Sequence, residues 1–493
     1  KSFYYDVETG FYYANGRYYE VERGGSDTRR GWHLRDKAKG LQVVHQDKTV
    51  TLNVNLVDTP LLLKAPRSLE FYLQPTPVKP KNMEMRGFRV RENMICWGEY
   101  VTLYFAHKRP GKFSERHLKY FREQQEKHGK RVFYYNAPKG ASPVSPEWNY
   151  FGMEWHCSPP RLGEYMRDAQ TPNRAARNMY LSTFACLNSK DFFDYKLDSI
   201  GGFLQNPEYK VRDLYFDLTW PRPCANPVHG CQWTDEFGYR HRDGDLKQLR
   251  LLLKRLYIQM KQKDATALFC GHTISTRLPS DVFFDSLLVG ELYDRHILNG
   301  PSYYNVLTPD LMRIAYASRN IEMEVSLIPQ FERALQLFAP DRYAKLNPAE
   351  PEMDRAICHF LGYMLVHDLG SRPTTKNNAR MKEFYAARDR IAGRSGAYTF
   401  HPYWEEKNSP VKPSFFGKYC MVSCFSNPGR LTIAALNDSD KTETFELSVD
   451  TARFGLKKDI TGMELISNRK VEVKNGKLTS VIGPRGLRIF VFD

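Results

Sequence analysis

Residues 213–238 read DLYFDLTWPRPCANPVHGCQWTDEFG. A short apolar run ends on Asp217, and the loop after it gathers Trp220, Arg222, Cys224, His229, Cys231, Trp233 and the pair Asp235-Glu236. A carboxylate at the end of a strand can act as a nucleophile or general base. The indole rings of Trp220 and Trp233 suit stacking on flat ligand faces such as those of sugars, and Arg222 and His229 suit hydroxyl or anionic groups. The plain structural reading of Asp217 is a cap on the following loop. A second carboxylate, Glu291, ends the run LLVGEL; its plain reading is an ion pair with Arg295. Two such carboxylates across a barrel mouth are the minimum equipment for cutting a glycosidic bond. One protonates the leaving oxygen while the other attacks or stabilises the sugar carbon. A separation of about 5 Å gives retention and roughly 6.5–9.5 Å inversion.

Other apolar runs also end on ionisable groups: Glu99, Glu154 with His156, His272, and His367-Asp368. Glu99, Glu154, His272 and Asp368 join Trp220, Arg222, His229 and Trp233 as expected substrate contacts. Cys224, His229 and Cys231 have donor types that suit zinc, but a structural zinc site takes four ligands, usually with a recognisable second half. No such half is visible in the sequence, so neither metal nor cofactor is expected. Cys224 and Cys231 flank a Pro-containing loop, which leaves a local disulfide open beside two free thiols. Most of the remaining cysteines sit in apolar runs and read as buried thiols.

Three regions must hold these residues. Residues 1–88 alternate strand and turn signals: FYYANGRYYEV places Asn-Gly between aromatic runs, a hairpin signal, and TVTLNVNLV alternates with period two. They read as an N-terminal β-sandwich leaving through Pro-rich QPTPVKPKN. In residues 89–408 the runs NMICWGE, KRVFYYNAP, NYFGMEW, VRDLYFDL, TALFCGH, LLVGEL, EVSLIP and GYMLVHD alternate with helical stretches such as LKQLRLLLKRLYIQMKQK and TPDLMRIAYASR. Eight strands so arranged predict a (β/α)8 TIM barrel, whose active site lies at the C-terminal ends of the strands. An open doubly wound sheet is the alternative, but no Gly-rich phosphate loop follows the first strand. In the fourth run Asp213, Tyr215 and Asp217 share the parity that faces the barrel axis, and Asp213 lies deeper as a structural residue. Residues 409–493 return to short strands, YCMVSCFSN, RLTIAALND, TFELSVD and GLRIFVFD, and read as a C-terminal β-sandwich. The expectation is a multidomain protein, α/β at its centre and all-β at both ends.

The 493 residues are 42% apolar and 14% aromatic, a globular composition rich in rings. No segment reaches the roughly 18 uninterrupted apolar residues of a membrane span. The formal net charge is +16. It comes without a dense Lys/Arg tract, zinc-finger spacing or RNA-binding signature, so a nucleic-acid partner is not expected. A sulfated or uronic polysaccharide would use the same field, and Arg222 and Arg277 each lie five residues past a rim residue. A solvated basic surface explains the charge equally well. The start, Lys1-Ser2-Phe3-Tyr4-Tyr5, is strand-like and fits a processed or trimmed N-terminus. Separately, a secreted or periplasmic location is expected.

The stretches VDTPLLL and LEFYLQPTPVKP, then YFDL, CANPVHGC, TDEFG and VGEL, resemble bacterial glycoside-hydrolase-like proteins related to glycoside hydrolase family 123. The resemblance runs from about residue 50 to the C-terminal strands. It implies a sandwich-and-barrel hydrolase acting on a polysaccharide or glycan. Family 123 resembles substrate-assisted hexosaminidases and carries an adjacent Asp-Glu pair at the end of the fourth strand. Here that strand ends Asp217-Leu218-Thr219, and the nearby Asp235-Glu236 pair lies well into the loop. The layout of Asp217 with a sixth-strand acid is more similar to retaining α-galactosidase-type barrels. The expected function is glycosidic bond hydrolysis with Asp217 as nucleophile or base and Glu291 as acid. The alternative is a catalytically silent carbohydrate-binding protein on the same scaffold.

Overall fold

The computed structural model describes residues 3–6, 11–14, 17–20, 41–46, 49–54, 62, 73–75, 77–82, 85, 94–97, 115–141, 146–157, 183–207, 211–221, 223–234, 238, 240–273, 280–291, 307–309, 312–313, 316–317, 323–328, 331–345, 351–371, 378–392, 398–405, 409–413 and 419–493. The chain divides into two compact units, residues 1–80, 90–287 and 319–323 in one and 81–89, 288–318 and 324–493 in the other.

In the first unit β1 (Met94–Trp97), β2 (Arg131–Asn136), β3 (Asp213–Phe216) and β4 (Phe269–His272) pair in parallel, each with the next in the chain. β5 (Ser286–Val289) follows β4 in the sheet and carries the unit boundary within it. In the second unit β5 is followed by β6 (Glu324–Leu327), which pairs in parallel with β7 (Gly370–Ser371). Parallel neighbours in simple chain order require a crossover after every strand, and such crossovers are almost always right-handed. That winding is the one a (β/α) barrel uses; seven strands are described in this order where eight were expected.

Two expected strands are helical. NYFGMEW lies in α1 (Pro146–Trp155), where Trp148, Gly152 and Trp155 are buried and Tyr150 and Met153 exposed. Buried positions four and three apart are one face of a helix, and Pro at the first helical position adds to the start signal. GYMLVHD belongs to α4 (Pro351–Val366), where Met353, Ile357, Phe360, Leu361, Met364 and Leu365 are all buried. The last turns of α4, residues 359–366, are buried at every position, and a segment covered on every side loses the period that separates it from a buried strand. Among the helices described between α1 and α4, two bear on the site. α2 (Lys190–Gln205) precedes β3, and α3 (Leu246–Lys263) is the expected amphipathic segment, burying Leu249, Leu252, Leu253, Leu256 and Met260. Half of TPDLMRIAYASR lies outside the described residues.

The parity of β3 follows the expectation. Tyr134 is in register with Leu214 and stacks on Phe203 of α2 at 3.7 Å, so that parity meets the helices. Tyr135 is in register with Tyr215, stacks on it at 5.2 Å and belongs to the other face, with Asp217.

At the N-terminus, Phe3–Asp6, Phe11–Ala14 and Arg17–Glu20 make an antiparallel sheet, and the last two form the hairpin that Asn15-Gly16 signalled. Leu41–Gln46 pairs with Thr49–Val54, which is exposed along its whole length and not half-buried as its alternation implied.

The second unit ends in two antiparallel sheets. One has six strands, with Cys420–Asn427, Arg430–Asn437 and Leu487–Phe492 adjacent; the other joins Val411–Pro413, Glu443–Val449 and Lys477–Ile482. Cys424, Ile433 and Phe490 of the first share a core with Phe445, Leu447 and Leu478 of the second. α4 packs closely on Arg430–Asn437: a Cβ at Gly362 would stand 2.8 Å from Leu436, so that position stays small.

Just past α4, buried His367 holds the Tyr363 carbonyl through Nδ1 at 2.8 Å, and its Nε2 lies 3.0 Å from the Tyr403 hydroxyl. Nδ1 therefore donates and Nε2 accepts, which is a neutral imidazole. Burial drives its pKa down to about 3. The unfolded chain takes up this proton below about pH 6.5 while the folded chain refuses it, so stability is complete above that pH and is lost as the pH falls from 6.5 towards 3. Urea midpoints measured across that window should fall with acidification, and the slope should be shallower in His367→Phe, which has no ring proton to gain.

Candidate functional site

Asp217 stands one residue past the end of β3, 9% exposed. Its backbone N–H continues the ladder to the Asn136 carbonyl of β2 at 2.7 Å. The chain then turns through Leu218 at φ 58°, the left-handed region that a bulky residue enters only when its surroundings demand it. Thr219 resumes contact with β4, its N–H and hydroxyl both bonding the His272 carbonyl, at 3.2 and 3.1 Å. The turn is fixed on both flanks, and so is the carboxylate inside it.

Three donors converge on that carboxylate. The Tyr135 hydroxyl, at the end of β2, donates to Oδ2. The Leu218 N–H donates to Oδ1 at 2.7 Å, and His272 Nδ1, at the end of β4, lies 3.0 Å from Oδ1. The contact assigns a proton to Nδ1, which in the neutral ring leaves Nε2 as the basic nitrogen. Strands β2, β3 and β4 thus each place one functional group at the same C-terminal rim. Two buried polar side chains follow directly in sequence or register. Neither polar atom of the Asn136 amide has a hydrogen-bond partner, and neither does the Thr273 hydroxyl. Asn136 shares the parity of Tyr134 and Thr273 follows His272, so both fall on the helix-facing parity and not on that of Asp217.

Asp213, at the other end of β3, is structural as expected. Arg131 grips both its oxygens, at 2.6 and 2.8 Å, and the Leu268 N–H donates to it at 2.7 Å. Glu154 is not at a strand end: it is exposed on α1, away from the strand register that nominated it. Asp368 is not at a strand end either. It follows α4 at φ 56°, with its N–H on the Leu365 carbonyl and its Oδ1 accepting from Tyr398 at 2.5 Å. That is a left-handed helix terminus, a role Asp tolerates better than most residues. Glu291, in the second unit, is half-buried directly after Gly290, whose φ of 108° few side chains could adopt. Trp220 is half-buried three residues past Asp217, and Trp233 is 49% exposed on the strand Gln232–Thr234. Glu99, Arg222, Arg277, Arg295 and Asp235-Glu236 lie outside the described residues.

The loop after β3 folds into a small antiparallel sheet, Pro223–Cys224 and Gln232–Thr234 on either side of Arg240–Gly244. Within it lies half-buried His229. It turns to sulfur, with Nδ1 3.0 Å from Cys231 Sγ and 3.9 Å from Cys224 Sγ. Cys224 and Cys231 are both free thiols, which removes the disulfide. The fourth donor that the sequence did not supply is Cys186, from the turn before α2, 3.7 Å from Cys231 sulfur to sulfur. Cys157 packs against the same three cysteines. Sequence reasoning missed Cys186 and also Tyr135, the tyrosine nearest the carboxylate. The tyrosine had a signal in its parity; Cys186 had none, standing 38 residues before Cys224 without a paired motif.

No protein-family model matches the chain, and neither does any curated protein. Among solved structures, it is similar to a noncanonic maltogenic α-amylase, AmyB, from Thermotoga neapolitana: TM-score 0.47, 10% identity, 83% of this chain and 93% of that one. It is also similar to an α-amylase from Geobacillus thermoleovorans complexed with acarbose, at TM-score 0.47, 10% identity and 76% and 80% coverage. A third is an α-amylase from Lactobacillus plantarum, at 0.45, 10%, 81% and 88%. At these values the likeness does not bear on this chain's chemistry.

Proposed function

We propose that the protein is a glycoside hydrolase with Asp217 as its catalytic carboxylate. The observation that carries this reading is the setting of Asp217 at the C-terminal rim of consecutive parallel strands, held by Tyr135, His272 and the Leu218 N–H. A carboxylate so fixed is oriented before substrate arrives, which is what attack on, or electrostatic stabilisation of, a sugar carbon requires. Trp220 and Trp233 offer ring faces to hydroxyl-rich ligands. The reading includes closure of the sheet into a barrel and Glu291 as proton donor, for which Glu291→Gln is the test. It keeps the kinship with the family 123 relatives at the level of scaffold. Release of reducing ends from a panel of oligosaccharides, followed by mass spectrometry, tests it; a panel left intact at high enzyme concentration would refute hydrolysis.

A finer part of the proposal concerns the +16 surplus. An acidic glycan would draw on it, with charge-assisted contacts of roughly 1.5–3 kcal/mol each where partly desolvated. The expected result is faster cleavage of a sulfated oligosaccharide than of its desulfated counterpart, with the preference narrowing as salt rises and the Debye length falls to about 3 Å at 1 M. Equal rates on the two would remove the acidic substrate and leave the hydrolase reading intact.

A further inference from the structure

We propose that Cys186, Cys224, His229 and Cys231 form a structural Zn2+ site that fastens the loop after β3 to the turn before α2. Their ligand atoms, one imidazole nitrogen and three sulfurs, all lie within 4.8 Å of one another. Zinc–sulfur bonds of roughly 2.3 Å at tetrahedral angles put two sulfurs about 3.8 Å apart, and zinc–nitrogen bonds of roughly 2.0 Å bring nitrogen and sulfur to about 3.5 Å. The Cys186–Cys231 separation is 3.7 Å, and His229 Nδ1 stands 3.0 and 3.9 Å from the sulfurs of Cys231 and Cys224. The four donors are already spaced for one metal ion.

The local backbone is built for this convergence. Asn226 caps the short helical turn Pro227–His229 by accepting from the Val228 N–H at 3.0 Å, and Gly230 follows at φ 72°. The left-handed glycine brings His229 and Cys231 round to the same point. The sulfurs also carry the outer contacts that metal thiolates need. The Asn226 N–H donates to Cys224 Sγ at 3.3 Å, and Asn188 Nδ2 donates to Cys231 Sγ at 3.1 Å. The Asn226 amide meanwhile bonds the Met153 and His156 carbonyls, at 2.8 and 3.0 Å, tying the loop to the end of α1.

Chemistry and burial decide which ion and which role. Three thiolates and one imidazole in a tetrahedral arrangement select zinc over the hard, oxygen-loving cations. The three cysteines are buried and the histidine is half-buried, so the set is closed, as structural sites are, with no position reserved for substrate. A disulfide is the competing use of such thiols, but it needs sulfurs at about 2.05 Å. Zinc binds cysteine as the thiolate, so each thiol gives up its proton when the ion is taken up. Binding therefore releases thiol protons to solvent and leaves the chain's redox state unchanged.

The test is metal content and metal spectrum. Chain produced with zinc in the medium and dialysed against metal-free buffer should carry about one zinc per chain, released by a mercurial that caps thiols. Cobalt exchanged into it should show sulfur-to-metal charge-transfer bands with the intense ligand-field absorption of tetrahedral coordination. Cys186→Ser with Cys231→Ser should lower bound zinc at least tenfold, while Cys358→Ser, outside the cluster, should leave it unchanged. Because the double variant can fail to fold, the cobalt spectrum of the unaltered chain decides. Charge-transfer bands support the site. Absence of both zinc and those bands, a disulfide between any two of these cysteines, or zinc retained by a folded double variant overturns it.

Discussion

Asp217→Asn should lower kcat/KM on whatever glycan the protein cleaves by on the order of 10²–10⁴, the range that loss of a positioned acid–base group costs. At about 1.36 kcal/mol per tenfold, that is roughly 2.7–5.5 kcal/mol of transition-state stabilisation. The substitution keeps the shape of the side chain and an oxygen able to accept from Leu218 or Tyr135, so the fold should survive with an unchanged circular dichroism spectrum. The loss should fall on kcat more than on KM, because the carboxylate acts on charge that develops in the transition state. Tyr135→Phe and His272→Gln each leave the carboxylate in place but remove one of the groups that orient it. They should cost less than Asp217→Asn, and initial rates across the three variants give the order.

Lys139→Met should strongly destabilise the first unit's interior. Lys139 and Asp245 are 1% and 0% exposed and pair at 2.9 Å, and Asp245 also accepts from the Leu187 N–H at 3.4 Å. This pair joins the turn after β2, the Cys186-Leu187 turn and the start of α3. Removing the lysine strands a carboxylate away from water, which costs about 3–5 kcal/mol. A pair replaced by apolar residues of similar volume is often neutral, so Lys139→Met with Asp245→Leu should recover most of the loss. Chemical denaturation of the wild type, both single variants and the double variant measures this. A Lys139→Met midpoint equal to the wild type would show that the ion pair contributes nothing net.

What the sequence disclosed and what it withheld have separate physical causes. Asp217, the fate of Asp213 and the facing of Tyr215 were legible because side chains alternate strictly along a strand. α3 was legible because a surface helix keeps its polar face. NYFGMEW and GYMLVHD were misread because a short apolar run has too few polar positions to report a period, and burial of the last turns of α4 at every position removed the rest. Asp368 inherited that error: once its supposed strand became a helix, it became the helix terminus. The Tyr135 contact depends on register between β2 and β3, and register is set by packing that no single strand encodes. The Cys186 ligand depends on chain closure over 38 residues, where the sequence offers a lone cysteine and no paired motif.

The most direct test of the central claim measures binding and cleavage together on one glycan array, for the wild type and Asp217→Asn, with the products of each bound glycan resolved by mass spectrometry. The account predicts that both proteins bind the same glycans and that only the wild type shortens them. Glycans bound by both and shortened by neither would make the protein a silent carbohydrate binder, and glycans shortened equally by both would take catalysis away from Asp217.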